Sequence, residues 1–409
     1  MGVTTAWWRF ATGTPHVLVA EAPGGTGARL AVEQVLRQRG WVEALGPADA
    51  DVLAVVGPAG PPWMSFADQL WDQVPHPRAR VHVGDATEAG TALERAAGLL
   101  ADGGEASPVD ERHSARRGRD GAGHVEHGRP DDQSQGPEHH GDGGMDIPGG
   151  VPMADRGPDR DGLMLDQLHV PFGPLLPDWP AGLVLHTTLQ GDVLQGARVE
   201  VIRNHGDVPD FWNEPWRRAA AEEAVTEGEA ARRCAAAHLD SLARLLAVAG
   251  WAGAALRARR ARDDLLGGAR ADDIAPRTRR LAGRLRRSRT LRWLTDGLGI
   301  LPAGAAEAAG VTGPALAACR AGGDVRARWQ AWLDEVEQSV PAIDDTAPLA
   351  AIGAGPRGRL DAARGSAALL EVLPQLVAGA ELAGARLIVA SVDPDIAELD
   401  HAVVEAADG

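Results

Sequence analysis

The sequence predicts two folded units: an N-terminal α/β unit built on a parallel sheet, and a C-terminal α+β unit in which a small antiparallel sheet precedes a helical bundle. Three observations predict this division. Short apolar runs alternate with helical patterns up to residue 101. A polar segment rich in Gly, Asp and His fills residues 102–144. Apolar runs separated by turns, and then long amphipathic patterns, occupy residues 145–409.

The N-terminal unit begins with an apolar strand at residues 16–20, which a Gly-rich turn joins to a helical pattern ending at Arg39. Further strands are predicted at residues 51–57 and 80–84. Strands that alternate with helices pair in parallel, and such sheets bind ligands beyond the carboxyl ends of their strands. The loops expected to line a site are residues 23–27, 58–63 and 85–87.

The turn from Gly24 to Gly27 superficially matches a phosphate-binding loop, in which backbone amides and a Lys contact the phosphates. The Lys-Ser/Thr pair of such loops is missing, and the chain has no Lys at all. A nucleotide-binding module that uses this turn is therefore the weakest of the functional alternatives.

Residues 102–144 contain too few apolar side chains to offset the entropy lost on ordering, which predicts a disordered linker. Its His residues are His113, His124, His127, His139 and His140. A His-rich tract can bind metal loosely, but ligands without fixed geometry make a poor site. A solvated linker is the favoured interpretation.

The C-terminal unit is predicted to open with strands at residues 167–172, 182–190 and 192–202. Amphipathic helices follow over residues 214–266, with a break at Gly250. The remaining predictions are a buried loop at 287–326, a helix at 325–340, a Pro- and Gly-rich loop at 341–359, a helix at 366–382 and a strand at 386–393.

Composition excludes several mechanisms. All 41 basic side chains are Arg, and Tyr is absent, so the chain offers no Schiff-base Lys and no phenol. The formal charge of −16 argues against a nucleic-acid partner. Cys234 and Cys319 are far apart and neither belongs to a CxxC pair, so no disulfide and no thiolate-ligated zinc or iron–sulfur site is predicted from this chain alone. No apolar run reaches the roughly 18 residues of a membrane span, which predicts a cytoplasmic protein, soluble or peripheral at the inner face of the plasma membrane.

Several polar residues permit two interpretations. Cys234 is predicted to be a small core residue, and His238 a surface residue or a buried one with its hydrogen bonds satisfied. An Arg cluster is favoured as a solvated helix face paired with carboxylates, and the alternative is docking to an acidic partner or to anionic lipid head groups. Its members are Arg277, Arg279, Arg280, Arg284, Arg286, Arg287, Arg289 and Arg292.

The segment 287–326 contains, in order, Arg287-Ser288-Arg289-Thr290, Gly299, Gly310, Thr312-Gly313-Pro314, Leu316 and Asp324-Val325-Arg326. With these residues it resembles the signature loop of the D subunit of NADH-quinone oxidoreductase, a family that also contains the large subunits of nickel–iron hydrogenases. The family's Arg after Leu316 is replaced by Ala317. The turn at Gly173-Pro174, the segment 189–193 and the C-terminal segment 389–400 match the same subunit in the same order.

The N-terminal unit resembles the B subunit of the same enzyme, which holds the terminal iron–sulfur cluster beside the quinone. The strand 50–57, the turn 70–78 and Val83-Gly84 match that subunit. The resemblance implies a flavodoxin-like sheet. It also places the family's adjacent Cys pair at Arg29-Leu30 and a further Cys near Ala86.

The residues that would carry the family's chemistry are different here. Each cluster-ligand position that can be placed lacks sulfur, and no hydrogenase-type CxxC pair is present. Of the family's two His residues in the quinone turn, the first falls at Leu176 and the second near Ala181, and the Tyr that shares the headgroup contact has no counterpart. The resemblance therefore implies no iron–sulfur cluster, no nickel–iron site and no other metal ligands.

Two functions follow from this resemblance. The first is a redox-degenerate protein whose B-like unit, residues 1–101, and D-like unit, residues 145–409, act together as an assembly or coupling element on membrane subunits of a complex I-like or hydrogenase-like assembly. The alternative is an oxidoreductase subunit that still binds quinone in the interdomain cleft. The cleft candidates are Pro177, Trp179, Thr312 and Asp393. An open pocket with converging polar groups favours the alternative, and a filled cleft favours the first function.

Overall fold

The computed structural model describes residues 14–103, 155–158, 164–204, 210–350, 354–360 and 365–399. Except for its first two residues, the predicted linker at 102–144 lies outside the described residues. Among the described helices, none is both long enough and apolar enough to cross a membrane.

The N-terminal sheet is parallel, as the alternation of strands and helices predicts. Its strand order is β2-β1-β3-β4, in which β2 is an additional strand at the edge. Its strands are β1 (His16–Glu21), β2 (Val42–Glu43), β3 (Val52–Val56) and β4 (Ala79–Val83). The helices between and after them are α1 (Thr26–Arg39), α2 (Pro61–Trp71) and α3 (Ala89–Ala101).

Helices cover both faces of this sheet, which explains why its central strand β3 is apolar throughout. All five residues of β3 are buried. Val52 and Val56 pack on the side of α1 and α3, and Leu53 and Val55 pack on the side of α2. A strand buried on both faces has no polar position, so its sequence is a continuous apolar run.

The C-terminal unit opens with an antiparallel sheet in the order β5-β6-β7-β8, which confirms the predicted strands. Its strands are β5 (Asp155–Pro158), β6 (Met164–Phe172), β7 (Leu183–Gln190) and β8 (Val193–Val201). β7 is largely buried, whereas β6 is largely exposed.

Helices then form the bundle, whose centre is the pair of long helices α5 and α6. The helices are α4 (Glu214–Ala220), α5 (Glu227–Val248), α6 (Ala252–Leu266), α7 (Ala271–Arg287), α8 (Arg289–Thr295), α9 (Ala303–Ala309), α10 (Gly313–Arg320), α11 (Val325–Ser339), α12 (Gly365–Val377) and α13 (Leu382–Val392). A two-stranded hairpin, β9 (Ala354–Gly355) and β10 (Gly358–Arg359), precedes α12. The predicted break at Gly250 is confirmed, since Gly250 has a φ of 74° between α5 and α6.

Two predictions in the C-terminal unit are wrong. Residues 386–393 were expected to form a strand, but they belong to helix α13 and the turn that follows it. The side chains from Leu387 to Val392 are all buried, so the segment has no polar face from which a helical period could be recognised.

Residues 287–326 were expected to form a loop, but they contain the short helices α8, α9 and α10. Their glycines lie at the helix ends, for example Gly310 at the end of α9.

Arg328 of α11 connects this region to the C-terminal helix. Its Nη2 donates to the carbonyl oxygen of Gly323 at 2.9 Å and also contacts that of Gly299, and its Nη1 donates to Oγ of Ser391 at 2.8 Å. Burial lowers the pKa of Arg328 to about 10. A single guanidinium group thus joins three segments that are distant in sequence.

Candidate functional site

The carboxyl ends of the parallel strands, where the sequence predicts a ligand site, are covered by the C-terminal unit. Nδ2 of Asn204 donates to the carbonyl oxygen of Pro23 at 2.9 Å, and Oδ1 of Asn204 accepts from the backbone amide of Gly60 at 3.4 Å. The ring of Phe211 lies 3.3 Å from where a Cβ on Gly27 would be. Two of the three expected loops therefore contact protein at this edge.

The glycines of the first loop have a packing explanation that needs no phosphate. A Cβ on Gly25 would lie 2.6 Å from the carbonyl oxygen of Val56, and a Cβ on Gly57 would lie 2.3 Å from Cα of Gly25. The end of β3 and the start of α1 can approach this closely only because neither residue has a side chain. The nucleotide-binding alternative consequently has no observation in its favour here.

Four buried charged residues join the two units, and we call them the junction ion cluster: Arg29 and Glu33 of α1, Asp240 of α5 and Arg262 of α6. Nη2 of Arg29 lies 2.7 Å from Oδ2 of Asp240, and Nη2 of Arg262 lies 2.8 Å from Oε2 of Glu33. Arg262 also pairs with Asp240, and Arg29 with Glu33. Asp240 is 1% exposed and Arg262 is fully buried. Each side chain of the cluster therefore has an opposite charge both within its own unit and across the junction.

Further ion pairs extend this cluster in two directions. Towards the antiparallel sheet, Arg259 contacts Asp178 at 3.0 Å and also Glu43 of β2. Towards the C-terminus, Arg244 lies 3.1 Å from Asp393. The junction is thus a continuous band of alternating charges.

The carboxyl groups at the centre of the band have displaced pKa values. Burial acts to raise the pKa of Glu33, but Arg262, Arg29 and Arg259 outweigh it and hold this pKa well below its ordinary value of 4.5. Burial likewise opposes Arg29, Arg262 and Arg244 at Asp240, whose pKa is also well below its ordinary value of 3.8. Asp178 differs, because there burial exceeds the attraction of Arg259 and raises the pKa to about 6.

These shifts predict acid-sensitive stability that depends on Glu33. A carboxyl group whose pKa is lowered by folding stabilises the fold above its ordinary pKa, here 4.5, and this stability is lost as the pH falls below that value. We expect Glu33→Gln to be less stable than the parent protein at neutral pH and to differ from it less below about pH 4. Asp178 has the opposite sign, since its raised pKa makes the fold more stable as the pH falls through about 6.

Urea unfolding of both proteins across this pH range measures the effect. If the stability difference between Glu33→Gln and the parent were the same at neutral and at acid pH, the charge of Glu33 would not be what stabilises the fold, and the prediction would be wrong.

The cleft candidates Pro177 and Trp179 lie at the junction, beside a cavity of about 50 Å³. Arg29, Glu33 and Arg259 line the same cavity, and Trp179 is held by a hydrogen bond of 2.8 Å from Nε1 to the carbonyl oxygen of Leu183. Ligand pockets for small molecules generally measure about 300–1,000 Å³. A quinone ring at this place would require the ion pairs to separate, and quinone binding stays a prediction.

The other two cleft candidates lie elsewhere. Asp393 is buried, accepts a hydrogen bond from Ser241 and pairs with Arg244 and with Arg357, the latter at 2.8 Å. Oγ1 of Thr312 accepts from the backbone amide of Arg359 at 3.2 Å and therefore fixes the β10 strand. Arg244 connects Asp393 to the junction, because it pairs with both Asp240 and Asp393. Thr312 lines neither the cavity of about 50 Å³ at the junction nor a cavity of about 30 Å³ beside Asp393.

A larger cavity, of about 660 Å³, lies between α1, α6 and α7, and we call it the arginine groove. Its lining residues are Gln34, Arg37, Gln38, Arg257, Arg260, Ala261, Asp263, Asp264, Arg277, Arg280, Leu281 and Arg284. Both carboxylates of the groove are already paired, Asp263 with Arg37 and Arg262, and Asp264 with Arg277.

The remaining four arginines of the groove, Arg257, Arg260, Arg280 and Arg284, have no carboxylate partner in the part of the chain that the structure describes. Arg284 lies over the ring of Trp251 at 5.3 Å. The groove therefore carries a local excess of positive charge on a protein whose formal charge is −16. Its size is in the range of ligand sites.

The members of the Arg cluster at 277–292 differ in their pairing, and docking of this cluster to an acidic partner or to lipid stays a prediction. Arg286 pairs with Glu337 at 2.8 Å and with Asp334 at 2.6 Å, and Arg277 pairs with Asp264, as a solvated and paired face predicts. Arg280 and Arg284 line the groove without such partners among the described residues.

The junction ion cluster could not be recognised as a site from the sequence, although one signal was present. Asp240 lies four residues after Ala236 and three before Ala243, on the buried face of α5. Charged residues on an apolar helical face are almost never fully buried unless they are paired. The position of Asp240 thus indicates a buried ion pair, but the partner in α1 is more than two hundred residues away in sequence.

Comparison with protein families and with curated proteins finds no match. Among solved structures, one chain of the membrane-bound sulfane sulfur reductase, described as an archaeal respiratory membrane complex, is similar to this protein with a TM-score of 0.42 and 16% sequence identity. The alignment covers 57% of this chain and 98% of that chain.

Proposed function

We propose that the chain is a redox-inactive, peripheral assembly or coupling subunit of a complex I-like or hydrogenase-like membrane assembly. The observation that supports this proposal is the pairing of Arg29 with Asp240 across the junction, at 2.7 Å. The sequence resemblance places the family's cluster-binding Cys pair at Arg29-Leu30. An Arg that is ion-paired at this position supplies no ligand for iron, because clusters are held by thiolates.

The junction ion cluster also favours a structural role over a catalytic one. Its charges are buried and satisfied by one another, so the loss of one member would leave an uncompensated charge in a low-dielectric environment. The cavity of about 50 Å³ beside it leaves little room for a ligand. A junction of this kind fixes the relative position of the two units, which suits a subunit that presents a constant surface to its partners.

Recovery of the full-length chain from native membranes in a gentle detergent tests the proposal. We expect antiporter-like membrane subunits to be recovered with the chain, and the purified chain itself to show no visible iron–sulfur absorption. An iron–sulfur spectrum from the isolated polypeptide, or recovery without any membrane protein, would contradict the proposal.

The arginine groove is the surface that we assign to membrane contact, through anionic lipid head groups. A planar guanidinium group matches the geometry of a phosphate, and these four arginines have no carboxylate partner among the described residues. Each Arg near an anionic membrane surface contributes about 1 kcal/mol. The arginine groove would thus allow a protein with a net negative charge to bind an anionic membrane surface.

We expect the double variant Arg260→Gln/Arg280→Gln to bind vesicles containing phosphatidylserine roughly 30-fold more weakly than the parent, because two such contributions are lost. Binding of the parent should also weaken with added salt. Vesicle co-sedimentation measures both effects.

The matched control is Arg279→Gln/Arg287→Gln, which removes the same charge from exposed positions outside the groove. Equal loss of binding in both double variants would indicate a response to total charge, and would exclude the groove as the contact.

A further inference from the structure

Three potential metal ligands meet where helix α5 packs on helix α11. Cys234 and His238 are one helical turn apart on α5, and Glu335 faces them from α11. Their ligand atoms, namely the thiol sulfur, one imidazole nitrogen and one carboxylate oxygen, all lie within 4.8 Å of one another. The three residues are distinct from both the junction ion cluster and the arginine groove.

Two of these three groups, His238 and Glu335, lack the partner that their environment would require, whereas Cys234 is within hydrogen-bond reach of Ser339. His238 is 3% exposed, and its Nε2 is buried without a hydrogen-bond partner among the described residues. Glu335 is half-buried and forms no ion pair with any described residue, although the chain contains 41 arginines. A buried imidazole nitrogen without a hydrogen bond destabilises the fold. His238 therefore differs from the sequence prediction, which is a surface residue or a buried one with its hydrogen bonds satisfied.

Burial disfavours the charged form of all three groups. Burial raises the pKa of Cys234 to about 12, with a further contribution from Glu335. Burial, followed by the charge of Arg357, lowers the pKa of His238 to about 3, so the imidazole is neutral and can donate a lone pair. Burial also raises the pKa of Glu335. A bound divalent ion would reverse the cost of ionising the thiol and the carboxyl group.

We infer that Cys234, His238 and Glu335 bind a divalent transition-metal ion of the zinc class. Thiolate, imidazole and carboxylate are the three ligand types that zinc takes in proteins, at about 2.0–2.3 Å. Two ligand atoms on one tetrahedral ion lie roughly 3.5 Å apart, so side-chain movements of about 1 Å would complete the geometry. The thiol proton is released to solvent on binding, and the fourth position is open to water.

Spacing along the chain does not reveal this site, because one ligand lies about a hundred residues after the other two. The two cysteines do not form a CxxC pair, and the sequence therefore predicts no metal ligands. The ion would join α5 to α11, the two helices that carry Asp240 and Arg328. It would stabilise the folded bundle by RT ln(1 + c/Kd), which rises with the concentration c of free ion.

Titration of the metal-free, full-length chain with Co²⁺ tests the inference. We expect one Co²⁺ per chain with a thiolate-to-cobalt absorption band, displacement of Co²⁺ by Zn²⁺, and a higher Tm in the presence of Zn²⁺. The His residues between 113 and 140 cannot produce a thiolate band, and the chain has only two cysteines.

Cys234→Ser should abolish the band, and Glu335→Gln should weaken Co²⁺ binding at least about tenfold while both remain folded by circular dichroism. The matched control is Cys319→Ser, which replaces the other cysteine and should retain the band. The inference is overturned by a parent protein that shows no thiolate band, by a band that survives Cys234→Ser, or by a band that is lost in Cys319→Ser. If Cys234→Ser does not fold, retention of full affinity in Glu335→Gln likewise overturns it.

Discussion

Replacement of Asp240 with Asn should lower the free energy of unfolding by about 3–5 kcal/mol, the usual cost of removing one partner from a buried ion pair. The amide keeps the size of the carboxyl group, so packing is preserved and only the charge is lost. Arg29 of the N-terminal unit and Arg262 of the C-terminal unit would then each lose one of the carboxylates with which they pair. Urea unfolding at neutral pH measures the change.

Asp264→Asn is the matched control, because Asp264 also pairs with an Arg but does so at the surface. Its partner Arg277 and Asp264 itself are 60% and 40% exposed. Exposed pairs contribute about 0–1 kcal/mol, so this variant should be close to the parent in stability. If Asp240→Asn and Asp264→Asn lowered the free energy of unfolding equally, burial would not explain the contribution of the junction ion cluster to stability.

Gly57→Ala should destabilise the N-terminal unit by roughly 4 kcal/mol, which combines the cost of an overpacked contact with that of a positive φ in a residue with a side chain. Gly57 follows β3 with a φ of 91°, and its Cβ would lie 2.3 Å from Cα of Gly25. The clash is with backbone atoms, which cannot rotate away as a side chain can. Urea unfolding monitored by circular dichroism measures the loss.

Gly40→Ala separates the two causes. Gly40 also has a positive φ, of 68°, but a Cβ there would have no atom within 4 Å. We therefore expect only the conformational cost, about 1 kcal/mol. Comparable losses in the two Ala variants would mean that the contact between Gly25 and Gly57 is looser than the structure indicates.

Six strands of the two sheets could be predicted because their sequences have one clear pattern and clear ends, whereas the two-residue β2 and the four-residue β5 are too short to show such a pattern. Residues 52–56 form a short apolar run closed by Gly57, and residues 183–190 are flanked by Gly182 and Gly191. The segment 386–393 has neither property, because every residue after the exposed Arg386 is buried. Local pattern therefore fails where successive residues of a helix are all buried.

The candidate sites were harder to predict, for a different reason. The sequence resemblance drew attention to Arg29, at the position that it assigns to the family's Cys pair, but it gave no partner for the charge of Arg29. That partner, Asp240, is chosen by the packing of α5 against α1, which is a property of the tertiary structure. The same holds for Glu335, which is identified as a neighbour of Cys234 only when α5 and α11 are both in place.

The balance of charge at the junction also constrains how such a sequence can change over time. Loss of Glu33 alone leaves Arg262 short of one of its carboxylates, and loss of Arg29 alone leaves Asp240 with one guanidinium group fewer. An apolar replacement is tolerable only when the opposing residue in the other unit is replaced as well. Among sequences that share this fold, Arg29 and Asp240 should therefore covary, as should Glu33 and Arg262, even though each pair is more than two hundred positions apart.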